Sequence, residues 1–289
     1  MKENEIRVRL FGGLGNQLFQ YYAGIHFSQL LGSELSFDTR WINAGFGHIG
    51  SDLRDFRTDT EVRWITDITD GSLNFKKERL KTIVSRELPY FGERLRLFVP
   101  KSEGYVLPNP HKHFREIRGY FQSPEYFLRL IPSHMHLELE RETPEFLESR
   151  NFLLERPFLS VHIRAGDYLK QSGLYRNLSK DYYERAIESA LNFMSGNRIV
   201  VFSDDLEYAK GLIGSRFKLE YLPDIPLRAS EELVLMSLGS ALVIANSTFS
   251  YWAAFRSGQT HVFAPDSWLY DKELPAGIYP SSWSRVPLI

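Results

Sequence analysis

The chain has 289 residues, of which 43% are apolar and 25% charged, and its formal charge at pH 7 is −1. That length and apolar content can build one large or two ordinary domains, and the balanced charge argues against nucleic-acid binding, which calls for a basic excess. Cysteine is absent, which excludes disulfides, zinc–thiolate sites and cysteine nucleophiles.

The first residues, Met1 to Arg9, are charged and lack the apolar core of a signal peptide. No run approaches the roughly 20 apolar residues that span a bilayer. The expectation is a cytoplasmic protein, compatible with peripheral contact at the inner face of the membrane. Ile6 to Phe11 alternates apolar and basic residues as a half-buried strand does. A Gly-rich loop, Gly12-Gly-Leu-Gly-Asn-Gln17, follows. A helix is predicted over Leu18–Leu31, with Gly32 as its stop. Glu34–Asp38 reads as the next strand, so the chain opens as a doubly wound unit.

Residues 40–115 carry many charges and no long period; Phe46–Asp52 reads as loop and Pro108–His113 as a turn region, and short helices are predicted around Ser72–Arg86 and Leu88–Leu97. Such a polar, loop-rich insert suits an acceptor site or plain packing. Arg118–Phe127 reads as a strand end, a turn and a helix start, with Ser123 as cap and Pro124 in the first helical position. Pro144–Arg156 reads as a helix and connector. The domain boundary is placed there, dividing the chain into 1–155 and 156–289.

The second half alternates regularly. Strands are predicted at Phe158–Arg164, Arg198–Ser203, Phe217–Leu222, Ala241–Ala245 and Gln259–Ala264. Helices are predicted after Ser179, over Tyr208–Ile213, over Ser230–Leu238 with Ser230 at its start, and over Tyr251–Arg256. This order predicts a parallel sheet covered on both faces.

In a parallel sheet the carboxyl ends share one edge, and ligands bind there. Three predicted strand ends bear polar clusters: His162, Arg164 and Asp167 around Gly166; Ser203, Asp204 and Asp205; and Asn246, Ser247 and Thr248. Arg164 presents a planar fork of donors that fits a phosphate, and it is the candidate for gripping the leaving diphosphate of a nucleotide donor. Asn246-Ser-Thr248 precedes a helix, whose first amides can bind phosphate oxygens, although Ser247 or Thr248 equally suits a plain N-cap. The aspartate after Val200–Ser203 can accept from guanine or ribose. Asp167, beside the arginine, is the candidate general base, or else pairs with Arg164 structurally.

Gly12–Gln17 matches neither a dinucleotide fingerprint nor a Walker loop, but its place between strand and helix lets Asn16 reach a diphosphate. No two aspartates stand two residues apart, and no His-Glu-x-x-His motif occurs. A metal is therefore not expected, and side chains and helix ends must neutralise the leaving group.

Together these segments resemble the α-1,2-fucosyltransferase family, glycosyltransferase family 11. The resemblance rests on Gly12-Gly-Leu-Gly-Asn-Gln-Leu-Phe-Gln-Tyr21, Gly119-Tyr-Phe-Gln-Ser123, His162-Ile-Arg-Ala-Gly-Asp-Tyr168, Phe202-Ser-Asp-Asp205, and Leu235-Met-Ser-Leu238 leading to Ala245-Asn-Ser-Thr-Phe-Ser-Tyr-Trp252. It implies an α/β, GT-B-like fold of two facing Rossmann-like, doubly wound parallel-sheet domains. The N-terminal one would be the acceptor side and the C-terminal one would bind a GDP-fucose donor, without a cofactor or metal and with inversion at the anomeric carbon. It also implies Arg164 and His162 at the diphosphate-fucose, Asn16 facing them, Asp204 near the nucleotide, and Ser247 to Phe249 at the phosphates. The implied acceptor is a galactoside-containing oligosaccharide or lipid-linked glycan, as in O-antigen biosynthesis. One departure is Ala165, where the family usually has a second arginine; it opens the alternative of another GDP-6-deoxyhexose such as GDP-colitose. A non-catalytic nucleotide- or carbohydrate-binding module is the other alternative.

Overall fold

A computed structural model describes residues 4–45, 53–58, 62–67, 74–109, 111–128, 130, 137–166, 177–223, 225–269 and 273–288. The loop expected at 46–52 lies outside the described residues. The chain divides into two compact units. One holds Met1–Leu53, Thr58–His136 and Pro275–Ile278, the other Arg54–Arg57, Leu137–Leu274 and Tyr279–Ile289. The principal break thus falls after residue 136, not near 156. The cause is α5 (Pro144–Leu154), which is tied to the second unit: the backbone N–H and hydroxyl of its cap, Thr143, both donate to Glu231 Oε1, at 3.0 and 2.7 Å.

The first unit is built on five parallel strands: β1 (Glu5–Arg9), β2 (Glu34–Asp38), β3 (Arg63–Ile65), β4 (Leu97–Phe98) and β5 (Glu116–Ile117), in the order β3-β2-β1-β5-β4. Four of the five residues of β1 and of β2 are buried. On one face lies α1 (Leu14–Leu31), which Gly32 ends in the left-handed conformation as its sequence predicts. This helix starts four residues earlier than its apolar period suggests, so the Gly-rich loop is its first turn. Its core partners are aromatic: Phe27 meets Phe98, Phe121 and Tyr126 edge-on at 5.3–6.2 Å between centroids.

The opposite face of the same sheet is charged and nonetheless covered by α3 (Phe75–Glu87). Glu78 of that helix receives Arg9 Nη2 at 2.9 Å and Arg118 Nη2 at 2.5 Å. Glu116 Oε1 receives the same two arginines, at 2.8 Å each. Arg9 and Arg118 are only 4% and 2% exposed, so the charges are held by pairing and not by water. A short α2 (Arg40–Asn43) and α4 (Pro89–Arg94) complete the helices described in this unit. The helix expected from Pro124 is only a single 3₁₀ turn, Pro124–Tyr126. Tyr126 is fully buried, and its hydroxyl receives Val106 N–H at 2.7 Å and donates to Val106 O at 2.8 Å, which fixes the chain direction against further winding.

The second unit has six parallel strands: β6 (Leu159–Ile163), β7 (Ile199–Ser203), β8 (Leu219–Tyr221), β9 (Ala241–Val243), β10 (Val262–Pro265) and β11 (Ser284–Val286), in the order β11-β10-β9-β6-β7-β8. From β6 the chain winds outward through β7 and β8, then returns to the other side of β6 for β9 to β11. The switch point lies between β6 and β9, and the loops leaving those two strands open a crevice there. Every residue of β6 is buried, as a central strand requires. Over it pack α6 (Lys180–Leu191) and its buried Tyr182, Tyr183, Ala186, Ile187 and Ala190; α7 (Leu206–Ile213), α8 (Ala229–Met236) and α9 (Thr248–Ser257) complete the unit. Arg228, not Ser230, caps α8: Arg228 N–H donates to Glu231 Oε2 at 3.1 Å, while the Ser230 hydroxyl is spent on Asp55 Oδ2 at 2.6 Å.

Candidate active site

Arg164 is the first residue beyond β6. The registers His162↔Phe202 and Ile163↔Ser203 bring it beside Asp204, the first residue beyond β7. The pairing is direct: Arg164 Nη1 lies 2.8 Å from Asp204 Oδ2, with the two side chains 21% and 27% exposed, so the guanidinium is held yet reachable. Asp204 Oδ1 receives the Ala165 N–H at 2.8 Å. One carboxylate therefore fixes both the backbone and the side chain of the turn. Gly166 is required for this, since a Cβ there would sit 2.5 Å from Asp204 Oδ2. The close approach that Gly166 permits is thus to the neighbouring aspartate. Asp204 is committed to shaping the Arg164 turn.

On the other side of β6, the register Val161↔Val243 carries the strand ends to Arg164 and Asn246. His162 is 4% exposed, and its ring lies 5.9 Å from that of Phe249. That contact joins the β6 end to the first turn of α9. Burial, with the Arg164 charge adding to it, pulls the His162 imidazole down to about 3. It is neutral at physiological pH, so it does not act as a cation here, and its buried Nδ1 has no hydrogen-bond partner among the described residues.

The loop after β9 behaves differently from expectation in one respect. Asn246 is 2% exposed and donates Nδ2–H to the Trp268 carbonyl at 3.1 Å. It clamps a neighbouring loop and does not present its amide to a ligand. Ser247 caps α9, its hydroxyl receiving Phe249 N–H at 3.3 Å, which is the plain N-cap role that the sequence also allowed. Thr248 and Phe249 are partly exposed and form the first helical turn, where the positive end of the helix dipole lies. The strand feeding this turn is pinned from behind: the Tyr182 hydroxyl, fully buried, donates to the Ile244 carbonyl at 2.5 Å. Ser203 and Asp205 serve the β7 turn. Asp205 N–H donates to Ser203 Oγ at 3.1 Å, and Asp205 Oδ1 receives Tyr208 N–H at 2.9 Å as the cap of α7.

Asn16 belongs to the first unit, at the switch point between β1 and β5. Its Oδ1 accepts from Gln122 Nε2 at 3.1 Å, joining the Gly-rich turn to the segment after β5. Gly12 has φ +78°, and a Cβ there would lie 2.8 Å from Asn16 Nδ2, so glycine is needed to seat that amide. Asp167, expected as the base, lies outside the described residues.

Sequence reasoning missed Glu232, the fourth residue of α8. Burial pushes its carboxyl up to about 7, the Asp204 carboxylate adding to the rise and the Arg164 guanidinium opposing it. An acid next to the buried apolar run Leu233–Met236 was the available signal. The sign of its effect follows from the raised value: protonation favours the fold below about 4.5, and that stability is lost as pH rises through about 7. Glu232→Gln is expected to raise stability at pH 8 by about 1–3 kcal/mol and to change it little at pH 4. Urea unfolding at the two pH values measures this; an equal effect at both would contradict it.

Residues 99–286 match the sequence pattern of glycosyl transferase family 11. Over 96% of its length the chain is 30% identical to an alpha-1,2-colitosyltransferase of Escherichia coli, 97% of which is covered. The chain belongs to glycosyl transferase family 11. A second relative, the O-antigen biosynthesis glycosyltransferase WbnK of Escherichia coli, is 29% identical, with 85% of this chain and 88% of that one covered. Among solved structures, the fold is similar to that of fucosyltransferase NodZ from Bradyrhizobium, with a TM-score of 0.51 at 15% identity over 88% of this chain and 93% of that one. It is similar also to a glycosyl transferase family 9 protein of Veillonella parvula, with a TM-score of 0.51 at 10% identity over 100% and 88%. At such identities the likeness is one of fold, and it is GT-B-like, as the sequence implied. Family 11 membership makes the chain a glycosyltransferase. Among the described residues, no helix is long and apolar enough to cross a membrane.

Proposed function

We propose that the chain transfers L-fucose from GDP-β-L-fucose to a hydroxyl of a glycan, O2 of a terminal β-galactoside, forming an α-1,2 linkage with inversion and without a metal. The observation that carries this reading is the meeting, at one switch point, of the Arg164 turn and the first turn of α9, joined by the His162–Phe249 contact. A diphosphate seated there meets a guanidinium from one side and helical amides from the other.

In this reading the acceptor oxygen attacks the anomeric carbon, and the bond from that carbon to the β-phosphate oxygen breaks. Negative charge grows on the departing GDP while the sugar turns oxocarbenium-like. A fixed cation aimed at the leaving oxygens stabilises the transition state more than the ground state. Asp204 holds the guanidinium in place beforehand, so little reorganisation is needed at the moment of reaction. His162, neutral and against Phe249, shapes the wall beside Arg164. Asp167 remains the proposed general base.

A second donor, GDP-colitose, is favoured by one specific observation. Ala165 is fully buried, with its N–H bound to Asp204, and it stands where the family usually has a second arginine. The likeness to an alpha-1,2-colitosyltransferase points the same way. The test is a donor-by-acceptor screen read by GDP release, with product linkage assigned by NMR. Release of GDP with a β-galactoside acceptor and an α-1,2 product supports the reading, and the faster of the two donors decides the sugar. No turnover with either donor on any glycan would leave a binding module instead.

A further inference from the structure

We infer that the segment α3–α4 is a docking surface for a lipid bilayer bearing anionic headgroups. Thirteen large apolar side chains are exposed among the described residues, and six of them fall between residues 80 and 95: Leu80, Ile83, Leu88, Tyr90, Phe91 and Leu95, at 42–65% exposure. The remaining seven are scattered over the rest of the chain, as on any soluble surface. A concentration of this kind marks an interaction site.

The charges around it choose the partner. Residues 76–96 contain seven basic side chains and three acidic ones, in a chain whose total charge is −1. Moreover, the acids are already neutralised: Glu78 by the buried Arg9 and Arg118, Glu93 by Lys112 at 2.9 Å, and Glu87 by Arg86 at 3.0 Å. Lys76, Lys77, Arg79 and Arg96 are exposed and have no acidic partner among the described residues. Leu80 and Ile83 are one turn apart on α3, and the helical period places Lys76 and Arg79 on the same arc. Tyr90 and Phe91 follow on α4, their rings 6.2 Å apart and edge-on, with Arg94 5.8 Å over Tyr90.

Exposed aromatics and leucines ringed by lysine and arginine are what an interfacial segment needs. The apolar groups enter the headgroup–acyl boundary, while each cation is attracted to the anionic surface. A soluble protein partner would need acidic complementarity and would gain nothing from long cationic stems around the rim. The platform is rigid, because Glu78 fastens α3 to the sheet through two buried arginines. A transferase whose acceptor is lipid-linked would have its substrate delivered to the same surface, though the inference stands on the patch alone.

The test uses the full-length protein and two kinds of vesicle, phosphatidylcholine alone and phosphatidylcholine mixed with phosphatidylglycerol. Co-sedimentation is expected with the mixed vesicles only, weakening at least tenfold when salt is raised several-fold. The pair Y90S and F91S should abolish pelleting, and the pair K76E and R79E should remove the preference for anionic lipid. Unchanged thermal unfolding and GDP binding in both pairs shows that they are folded; the charge pair, wholly on the surface, keeps the test valid if the aromatic pair fails to fold. Equal binding to both vesicles, no pelleting, or loss of self-association in place of vesicle binding in the variants would overturn the inference.

Discussion

Arg164→Ala is expected to lower turnover by about two to three orders of magnitude, the usual cost of removing one preorganised donor from a developing anion. The fold should be unaffected, because the side chain lies at a strand end and is 21% exposed. Lysine in its place should restore only part of the loss, since a point charge cannot grip two phosphate oxygens from one plane. The change should appear mainly in kcat, because the interaction strengthens as charge builds on the leaving group. A loss confined to KM would mean that Arg164 binds donor and transition state alike.

The second large effect lies far from the phosphates. Glu78→Ala is expected to destabilise the first unit by about 3–5 kcal/mol, because it leaves Arg9 and Arg118 buried beside each other with one carboxylate fewer. Burial alone would raise the Glu78 carboxyl, but the hydrogen bonds and charges of Arg9 and Arg118 win and hold it down at about 2. The contribution is therefore present above about pH 4.5 and is lost as pH falls toward 2. Denaturant unfolding of the variant and of the parent at pH 7 measures it. An effect under about 1 kcal/mol, typical of an exposed pair, would show that the network is not truly desolvated.

This network also explains what could be read from the chain and what could not. Elements whose core partners are apolar were legible. The apolar period of α1 ending at Gly32, the five-residue β6, and α6 beginning after Ser179 all stand within a few residues of expectation. Strands β3, β4 and β5 were not seen. They are two or three residues long, too short for an alternation to register, and Glu116 of β5 with Arg118 just beyond it looks like a solvent face because their burial is made by ion pairs. Strand β11 at the far edge escaped for the same reason of length.

At the site, the positions were legible but several roles were not. The order of strands and helices placed Arg164, Asp204 and Ser247–Phe249 on one sheet edge. Local spacing could not show that the Asn246 amide is engaged by a carbonyl 22 residues later, nor that Asp204 is spent on the Arg164 turn. Likewise, Glu232 reads as an ordinary first-turn acid until the packing of α8 against its neighbours is known. Its perturbed carboxyl beside Asp204 and Arg164 is the kind of group that collects at functional sites.

The central claim is that the Arg164 guanidinium, with the amides that open α9, neutralises the diphosphate. Calorimetric titration of GDP and of guanosine into the parent and into Arg164→Ala, all with EDTA present, tests it most directly. GDP is expected to bind the variant about a hundredfold more weakly, a loss of about 2.7 kcal/mol, while guanosine binds both proteins equally. Equal weakening of the two ligands, or loss of GDP binding to the parent when EDTA is added, would contradict it.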